Sequence, residues 1–547
     1  MSVEDTMATA ARPHAASVLA PETVSGRTSS FEAGSLLLDV RAAVAMRQFA
    51  ERKQTLFYLC LFDDEIDSRL EAFQAFSTPA PWTEQLLAAA ALNLEPTDAV
   101  VIACRRGEIL VARGGASNFP LYWTTTAGKV LVSTVLPVDR GQPLSRAGLL
   151  SSVTVVAIAN QNEPNLSVRT PLDGWFRCRR GAVSRLSSSA GCVSERLVDL
   201  AESGDTELDQ EALIEALRSA LDQFGHLQRG RRRALLELSG GFDSTIAAIA
   251  ARRHGIELVG VSEHLPYYEF RFEEGIQRDV ASSLAMSRVC LDGTAFFSFA
   301  PSDWWPKIDE PAIAVIRLKR ALETARLALS EGLDRVFVGH GGDQLFAEDI
   351  LDRDTPPYAF ARGAFSKVAW PELEREQALI ESSPFFLRRS CLTFSYDARF
   401  DAVLKEAYGT TTRSPFTDLA CVRCGVAWSK LCARLGLPLG KSIMVDAFPE
   451  LPASVTHRKG KVPWDGVTSR AYALHADHIA TEIEHVRGPL ERVGLDVSWL
   501  VRRVAQLADG KRTSSARDDK EVIASYALAT WLRSWGVERV SDCSWND

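Results

Sequence analysis

Four short apolar runs alternate with four helical patterns between residues 206 and 340, and this alternation constrains the fold more than any other feature of the chain. The runs have the length of strands, and the segments around them repeat their apolar residues at helical spacing. The predicted helices are 206–225, 242–255, 272–286 and 314–332, and the predicted strands are 233–239, 256–263, 287–291 and 334–340. Repeated strand–helix units with short apolar strands predict an α/β fold with a parallel sheet that helices cover on both faces.

The regions on either side of this alternation have different patterns. Residues 31–205 are rich in strand-like runs, with a hairpin expected around Ala127 and Gly128, and they predict an antiparallel β-rich domain,. Residues 206–547 predict a second domain, whose later part is mainly helical,. Residues 1–30, which are rich in Ala, Ser, Thr and Pro, are expected to form a flexible tail,.

Composition excludes several classes of function. The chain has 547 residues, of which 46% are hydrophobic and 24% are charged, as in a soluble globular protein,. Its net charge of −8 argues against broad binding to nucleic acid,. No apolar run approaches the roughly 20 residues of a membrane span, and the N-terminal segment lacks the pattern of a signal peptide,. We therefore expect a cytoplasmic protein with no membrane span and no nucleic-acid partner.

The cysteines give no sign of a zinc site. Ten are scattered along the chain, and only Cys421 and Cys424 form a CxxC pair. A structural zinc site would need a second pair or histidines at matching spacing, and none follows. We expect these two side chains to be buried free thiols on a helix.

A glycine loop follows the first predicted strand. The stretch LSGGFDS, residues 238–244, places two glycines between that strand and a predicted helix. In α/β sheets, ligands bind beyond the carboxyl ends of the strands. Bare glycine backbone lets N–H groups approach phosphate oxygens at the start of a helix. Ser239 and Ser244 can donate to phosphates, and Asp243 can hold a Mg²⁺ ion that binds them. The alternative is an ordinary glycine turn with a helix-capping aspartate.

A second glycine loop follows the fourth predicted strand. The stretch GHGGDQLF contains Gly339, Gly341, Gly342 and Asp343. Since this loop also lies at the carboxyl edge of the sheet, the carboxylate of Asp343 is expected close to that of Asp243. Two aspartates from neighbouring loops are what a Mg²⁺-bridged triphosphate needs.

These two loops resemble the motifs of the asparagine synthetase superfamily, in which the first is the pyrophosphate loop. Three further segments resemble the family in the same order: FEEGIQRDVA, RSPFTD at 413–418 and LPASVTHRKGK at 451–461. The resemblance spans about 230–470 and implies that residues 206–547 form an ATP-pyrophosphatase domain that uses ATP and Mg²⁺. It implies ATP contacts at Leu238, Ser239, Gly240, Gly241, Asp243, Ser244, Val261, Gly339 and Gly341, and metal contacts at Asp243 and Asp343.

A third stretch could be mistaken for a nucleotide loop. GLPLGKS, residues 436–442, has three residues between its glycine and GK, where a Walker A loop has four,. We therefore do not expect it to bind phosphate as a Walker A loop does.

The N-terminal region is similar to the family's amidotransferase-like domain of the Ntn type, through LVARGGASNFPLYWTTTAGKVLVSTV. In glutamine-dependent members, a nucleophilic cysteine follows the first Met. Here Ser2 follows Met1, and the first cysteine is Cys60. A hydroxyl without an evident base is a poor substitute for a thiolate. We therefore expect residues 31–205 to form a degenerate glutaminase-like domain without its nucleophile.

Members of this superfamily share one reaction. A substrate carboxylate attacks the α-phosphate of ATP, which gives an acyl-adenylate and pyrophosphate, and an amine then attacks the carbonyl carbon and releases AMP. The resemblance implies His340 as the base that accepts the proton of the amine. It also implies Lys461 as the lysine that stabilises the developing negative charge, with Lys459 as a close competitor. A histidine that only packs and a basic surface turn remain alternative interpretations.

A carboxylate partner for His340 is expected in WPELEREQ. This stretch offers Glu372, Glu374 and Glu376, among which Glu374 is taken as the candidate. A solvated helix face would explain all three equally well.

The inert N-terminal domain, Gln344 in place of the usual Glu and the long helical C-terminal part most resemble the lasso peptide cyclases. The resemblance implies that the protein adenylates an Asp or Glu side chain of a core peptide and joins it to the N-terminal amine as an isopeptide macrolactam. It implies three partners, namely the precursor peptide, a leader peptidase and a leader-recognition protein. The alternatives are an asparagine synthetase or β-lactam-type synthetase that uses a small acid and amine, and a binding scaffold without catalysis.

Overall fold

The computed structural model describes most of the chain. The described residues are 28–33, 36–41, 45–51, 54–60, 83, 87, 99–105, 108–114, 121–138, 142–159, 167–197, 208–228, 230–266, 268–347, 362–382, 398–458, 464–511 and 519–546. Residues 1–27 of the predicted tail, which include Ser2, lie outside these ranges, as do both candidate lysines, Lys459 and Lys461.

Two sheets form the N-terminal part of the molecule. The strands are β1 (Thr28–Ala33), β2 (Leu36–Arg41), β3 (Ala45–Glu51), β4 (Gln54–Cys60), β5 (Ala99–Arg105), β6 (Glu108–Arg113), β7 (Tyr122–Thr126), β8 (Lys129–Ser133), β9 (Leu144–Ser145), β10 (Phe176–Arg177), β11 (Ala182–Ser187) and β12 (Gly191–Leu197). One sheet has the order β1-β2-β8-β7-β10, and the other has the order β12-β11-β6-β5-β4-β3. Strand β9 instead pairs in parallel with β18 (Trp545–Asn546). The sequence pattern assigns residues 28–30 to the tail, whereas they begin β1, because they pair with β2.

The hairpin predicted around Ala127 and Gly128 is confirmed. Strands β7 and β8 are antiparallel, and Thr126 lies opposite Lys129. Both turn residues have positive φ, 48° and 71°, as a type I′ turn requires,. One pairing differs from the predicted antiparallel arrangement, because β2 and β8 run parallel. These two strands are distant in sequence, and no local pattern marks their relative direction.

The third sheet is parallel throughout, which confirms the predicted α/β arrangement. Its strands are β13 (Arg233–Glu237), β14 (Glu257–His264), β15 (Ser287–Asp292), β16 (Arg335–Phe337) and β17 (Thr411–Arg413), in the order β15-β14-β13-β16-β17. The chain runs from β13 outward to β14 and β15, and then crosses to β16 on the other side of β13. The order reverses between β13 and β16, which is the kind of switch point at which open α/β sheets bind ligands.

Helices surround this sheet and continue to the C-terminus. They are α1 (Arg146–Ala159), α2 (Gln210–Leu227), α3 (Phe242–Arg253), α4 (Tyr268–Ser283), α5 (Leu318–Ser330), α6 (Gly342–Phe346), α7 (Trp370–Ser382), α8 (Ala398–Tyr408), α9 (Leu419–Leu435), α10 (Ser442–Ala447), α11 (Ala453–Thr456), α12 (Trp464–His485), α13 (Arg487–Val493), α14 (Val497–Ala508) and α15 (Lys520–Ser534). The four predicted helices are confirmed as α2 to α5, except that residues 314–317, at the start of the fourth, belong to the 3₁₀ helix Ile313–Arg317. A core between the sheet and α2, α3, α9 and α10 fixes the strand ends that carry the two glycine loops.

Helix α1 connects the N-terminal sheets to the C-terminal helices. It packs against α7 and α15, and its Leu149 and Val153 belong to a core that also includes residues of the last helices. Arg177 and Glu310 form a fully buried ion pair between the two regions. The hydroxyl of Tyr122 donates a hydrogen bond of 3.0 Å to the same carboxylate. The predicted boundary near residue 205 lies outside the described residues.

Two simpler predictions are also tested. Cys421 and Cys424 are buried free thiols on α9, as expected, and burial raises the pKa of Cys424 to about 12. Within the part of the chain that the structure describes, no helix has both the length and the apolar character needed to cross a membrane.

Candidate functional site

The first glycine loop connects β13 to α3 at the switch point of the parallel sheet. Gly240 has a φ of 75°, a left-handed conformation that a side chain disfavours,. Gly241 caps α3 with an extended backbone and without a side-chain hydrogen bond. The first N–H groups of α3 have no partner inside the helix, so this end of α3 suits an anionic ligand.

Hydroxyl groups line and stabilise this loop. The hydroxyls of Ser239 and Ser244 lie 3.0 Å apart, and that of Ser239 accepts a hydrogen bond of 3.2 Å from the Gly241 N–H. Thr245 donates back to the Gly241 carbonyl at 2.7 Å. Ser239 lines the cleft described below, whereas Ser244 is buried behind the loop. Ser239, which was predicted to donate to phosphates, is therefore accessible from the cleft, whereas the same prediction for Ser244 stays a prediction.

The second glycine loop, between β16 and α6, packs directly against the first. A Cβ atom on Gly342 would lie 2.3 Å from Oδ1 of Asp243, and one on Gly339 would lie 2.5 Å from the backbone N of Ser244. Gly341 has a φ of 98°, a left-handed backbone conformation that favours glycine whatever space surrounds it,. Since neither Gly339 nor Gly342 has room for a methyl group, these two glycines are what allows the two loops to approach each other.

Asp243 and Asp343 converge on one ammonium group. The Nζ atom of Lys441 donates to Oδ1 and Oδ2 of Asp243 at 2.6 and 2.7 Å, and it lies 2.6 Å from Oδ1 of Asp343. Two oxygens this close to one nitrogen lie within about 5 Å of each other, a separation that one metal ion or a pair of ions can bridge. The two carboxylates that the sequence predicted as metal ligands are therefore brought together.

Lys441 is the residue that sequence reasoning missed. It belongs to GLPLGKS, which lies between helices α9 and α10. A Walker A loop, in contrast, follows a strand. The prediction that it is no Walker A loop agrees with this placement, but the lysine still enters the site. The signal that could have identified it is charge balance, because two adjacent carboxylates need a cation nearby.

Arg458 is a second cation at the first loop. Its guanidinium forms an ion pair with Glu273 of α4 and donates to the Gly240 carbonyl at 3.4 Å. This arginine belongs to the segment LPASVTHRKGK, and Glu273 belongs to FEEGIQRDVA. Two segments that are distant in sequence therefore meet at the first glycine loop.

The RSPFTD segment supports the second loop from the next strand. Arg413 and Asp418, its first and last residues, form a buried ion pair of 2.8 Å. The hydroxyl of Ser414 donates to the His340 carbonyl at 2.6 Å. This segment thus fixes the backbone of the second loop, and it does not line the cleft itself.

A cleft with a volume of about 300 Å³ lies over both loops. Its lining includes an apolar wall formed by Leu238, Val261, Leu265 and Val467. Of the predicted ATP and metal contacts, the lining contains Leu238, Ser239, Gly241, Asp243, Val261 and Asp343. The other predicted contacts, Gly240, Ser244, Gly339 and Gly341, belong to the same two loops but do not line the cleft.

The charges of the cleft fit a nucleotide that brings its own metal. The lining contains four carboxylates, from Asp243, Glu263, Glu273 and Asp343, and three cations, from Arg320, Lys441 and Arg458. This balance leaves no excess positive charge for a triphosphate. Within the described ranges, no group of three or more His, Cys, Asp or Glu side chains could hold a metal alone. Two aspartates fit Mg²⁺ in its usual mode, in which phosphates and water supply the remaining ligands.

His340 lies in the second loop but does not line the cleft. Its Nδ1 atom is inaccessible to solvent. Burial lowers the pKa of His340 to about 4; Glu237 opposes this shift, and Arg317 and Arg320 reinforce it. The imidazole is therefore neutral at pH 7 and a weaker base than a histidine near its usual pKa of 6.5,. Its assignment as the base stays a prediction.

The three candidate glutamates lie on α7 and none of them lines the cleft. Glu374, the sequence-based candidate, is exposed. Glu372 forms ion pairs with Arg169 and Arg375. Glu376 is buried, and this burial raises its pKa. The structure does not bring any of them to the cleft, so their role also stays a prediction.

Comparisons with known proteins add no assignment to this geometry. No protein-family model matches the chain, and no curated protein is significantly similar to it. The arrangement of the two loops, the two aspartates and Lys441 is therefore the basis on which a function can be argued.

Proposed function

We propose that this protein is an AMP-forming carbon–nitrogen ligase, which activates a carboxylate with ATP and joins it to an amine. The observation that carries the proposal is the convergence of Asp243 and Asp343 at the switch point of the parallel sheet. Each aspartate follows a glycine loop that ends a strand, and the loops touch through Gly339 and Gly342. An arrangement of this kind suits a nucleotide whose phosphates lie across both loops.

The residues of the chain have distinct tasks in this proposal. The apolar wall of Leu238 and Val261 receives the base, and the first loop, at the start of α3, binds the phosphates,. Mg²⁺ held by Asp243 and Asp343 would stabilise the negative charge of the departing pyrophosphate. Arg458, which lies against the first loop, adds a fixed positive charge there. All of these residues hold or orient the reactants, so the catalytic power assigned to them is positional and electrostatic.

We further propose that the substrate is a peptide, as the resemblance to lasso peptide cyclases implies. In this form of the proposal, the carboxylate of an Asp or Glu side chain is adenylated and then joined to the N-terminal amine of the same chain. The product is an isopeptide macrolactam, and AMP and pyrophosphate are released. A leader peptidase and a leader-recognition protein would act on the same precursor.

The test is incubation with ATP, Mg²⁺ and candidate precursor peptides that have a free N-terminal amine. We expect the peptide to lose the mass of one water and AMP, not ADP, to accumulate. Asp243→Asn and Asp343→Asn should each reduce AMP formation by at least about 100-fold, because each removes one charged metal ligand. Asp222→Asn is the matched control, because Asp222 is exposed and pairs with His254 at 3.0 Å, away from the residues that line the cleft.

The possible outcomes test separately the role of the two aspartates, the identity of the substrate and the class of reaction. Full activity of either metal-site variant would contradict the role of the two aspartates. If AMP is released with aspartate and ammonia as substrates, and with none of the peptides, then the substrate is a small acid and only the assignment as a ligase stands. Release of ADP would overturn the reaction class.

A further inference from the structure

We infer that Lys441 occupies the metal position of the nucleotide-free protein, and that it makes metal binding at Asp243 and Asp343 depend on the nucleotide. The inference rests on the proposed function only in taking these two carboxylates as metal ligands. In this role Lys441 is a positioning residue, which keeps the two aspartates paired and close together until a metal–nucleotide complex replaces its ammonium.

The contacts of Lys441 are those of a built site. Its ammonium makes three contacts of 2.6 to 2.7 Å with oxygens of two different loops. Charge-assisted hydrogen bonds of this length are among the strongest in proteins. The side chain of Lys441 is 13% exposed and that of Asp243 is 17% exposed, so water screens this pair only partly,.

The backbone of Lys441 is fixed while its side chain is long and flexible. The helix that follows it, α10, is anchored by Ile443 and Met444, both of which are fully buried. The loop before it is held by Trp428, whose Nε1 donates to the Gly440 carbonyl at 3.1 Å. Because a lysine has a compact charge on a stem of four carbons, its ammonium can leave the carboxylates without movement of the backbone. Lys441 also lines the cleft, so phosphate oxygens would be within its reach.

Charge explains why a free metal ion would bind poorly. Two carboxylates a few ångströms apart repel each other, and the ammonium neutralises one of the two charges. A divalent cation that arrives alone must displace this ammonium and leave it without a partner. A metal that arrives with a nucleotide offers the displaced ammonium new acceptors on the phosphates. Metal and nucleotide are therefore expected to bind with positive coupling.

The experiment measures binding of Mn²⁺ alone, by electron paramagnetic resonance, to the full-length protein without nucleotide. Lys441→Met keeps the length and apolar packing of the stem and removes the charge. We expect its dissociation constant for Mn²⁺ to be at least about tenfold lower than that of the wild type. The tighter binding should disappear in the double variant Lys441→Met with Asp343→Asn. Lys511→Met, which removes an exposed lysine paired with Asp509, is the matched control and should change nothing.

A second measurement needs only the wild-type protein, and so does not depend on how the variants fold. Mn²⁺ affinity should rise at least about tenfold in the presence of α,β-methylene-ATP, whose α–β bond resists cleavage. Equal Mn²⁺ affinity of wild type and Lys441→Met, or tight Mn²⁺ binding by the wild type without nucleotide, would overturn the inference. The ligase proposal could survive either result, since it is judged by AMP formation. Conversely, the Mn²⁺ results could hold in a protein that forms no AMP.

Discussion

The glycine at position 342 offers a direct test of how closely the two loops must approach. In Gly342→Ala, the new methyl carbon would lie 2.3 Å from Oδ1 and 2.4 Å from Cγ of Asp243. Carbon and oxygen atoms that are not bonded need more than 3 Å, as the scarcity of shorter contacts shows. The carboxylate or the whole loop must therefore move by about 1 Å, and the 2.6 Å contact between Asp243 and Lys441 cannot survive unchanged,.

Two effects of known size follow from this displacement. A misplacement of about 1 Å at a reacting centre can reduce a rate by about 100-fold, so we expect ATP–pyrophosphate exchange to fall by about that factor. Overpacking of a tight contact typically costs 1–3 kcal/mol, so the free energy of unfolding should fall by about 1–3 kcal/mol. Exchange of labelled pyrophosphate into ATP measures the first effect, and urea denaturation measures the second.

Gly275→Ala is the matched control for this prediction. Gly275 lies inside helix α4, and a Cβ atom there would meet nothing within 4 Å. Because alanine has a higher helix propensity than glycine, this variant should be more stable by about 0.5–1 kcal/mol. Its rate of ATP–pyrophosphate exchange should equal that of the wild type. Exchange at the wild-type rate in Gly342→Ala would refute the claim that Asp243 must keep its position against the second loop.

Two further predictions concern stability. Glu310→Gln should lower the free energy of unfolding by roughly 3–5 kcal/mol in urea, because it removes the negative charge that Glu310 places against the buried guanidinium of Arg177,. The exposed-pair control Glu450→Gln should lower the free energy of unfolding by less than about 1 kcal/mol,, and equal effects of the two variants would contradict the buried pair. The pKa of His340 is about 4 in the folded protein and near 6.5 in the unfolded protein. Between pH 6.5 and pH 4 the unfolded protein therefore binds the proton more readily, and the free energy of unfolding falls as the pH falls through this range. His340→Asn should flatten this part of the dependence of unfolding free energy on pH, and an unchanged slope would show that folding does not lower the pKa of His340.

Much of the fold could be predicted because its determinants are local. Short apolar runs separated by helical periodicity identified four of the five strands of the parallel sheet, and glycine-containing loops marked the carboxyl ends of β13 and β16. The fifth strand, β17, is three residues long and lies in the part that was predicted to be mainly helical. Once the sheet is parallel, the ends of neighbouring strands share one edge, so Asp243 and Asp343 could be expected on the same side. The relative direction of β2 and β8 could not be predicted in this way, because it depends on the route of the chain between them.

The surroundings of the two aspartates depend on contacts between distant segments, which local patterns do not contain. Lys441 comes from a loop between two helices of the C-terminal part, and no periodicity directs its side chain to the sheet edge. His340 follows a strand in a motif that suggests access to the substrate, yet its pKa is set by the burial that tertiary packing imposes. The candidate glutamates show the same limit of sequence-based prediction. Glu374 is exposed and Glu376 is buried, and this difference depends only on how α7 packs in the folded protein.

The central claim is that a carboxylate of the substrate attacks the α-phosphate of ATP at the two loops, and transfer of an oxygen isotope tests it most directly. A candidate precursor peptide with ¹⁸O in both oxygens of its Asp or Glu side chain would be incubated with the protein, ATP and Mg²⁺. We predict that one ¹⁸O atom appears in AMP for each amide bond formed, because the oxygen that bridges carbonyl and phosphate leaves with AMP. Amide formation with unlabelled AMP, or with the label in inorganic phosphate, would contradict the account.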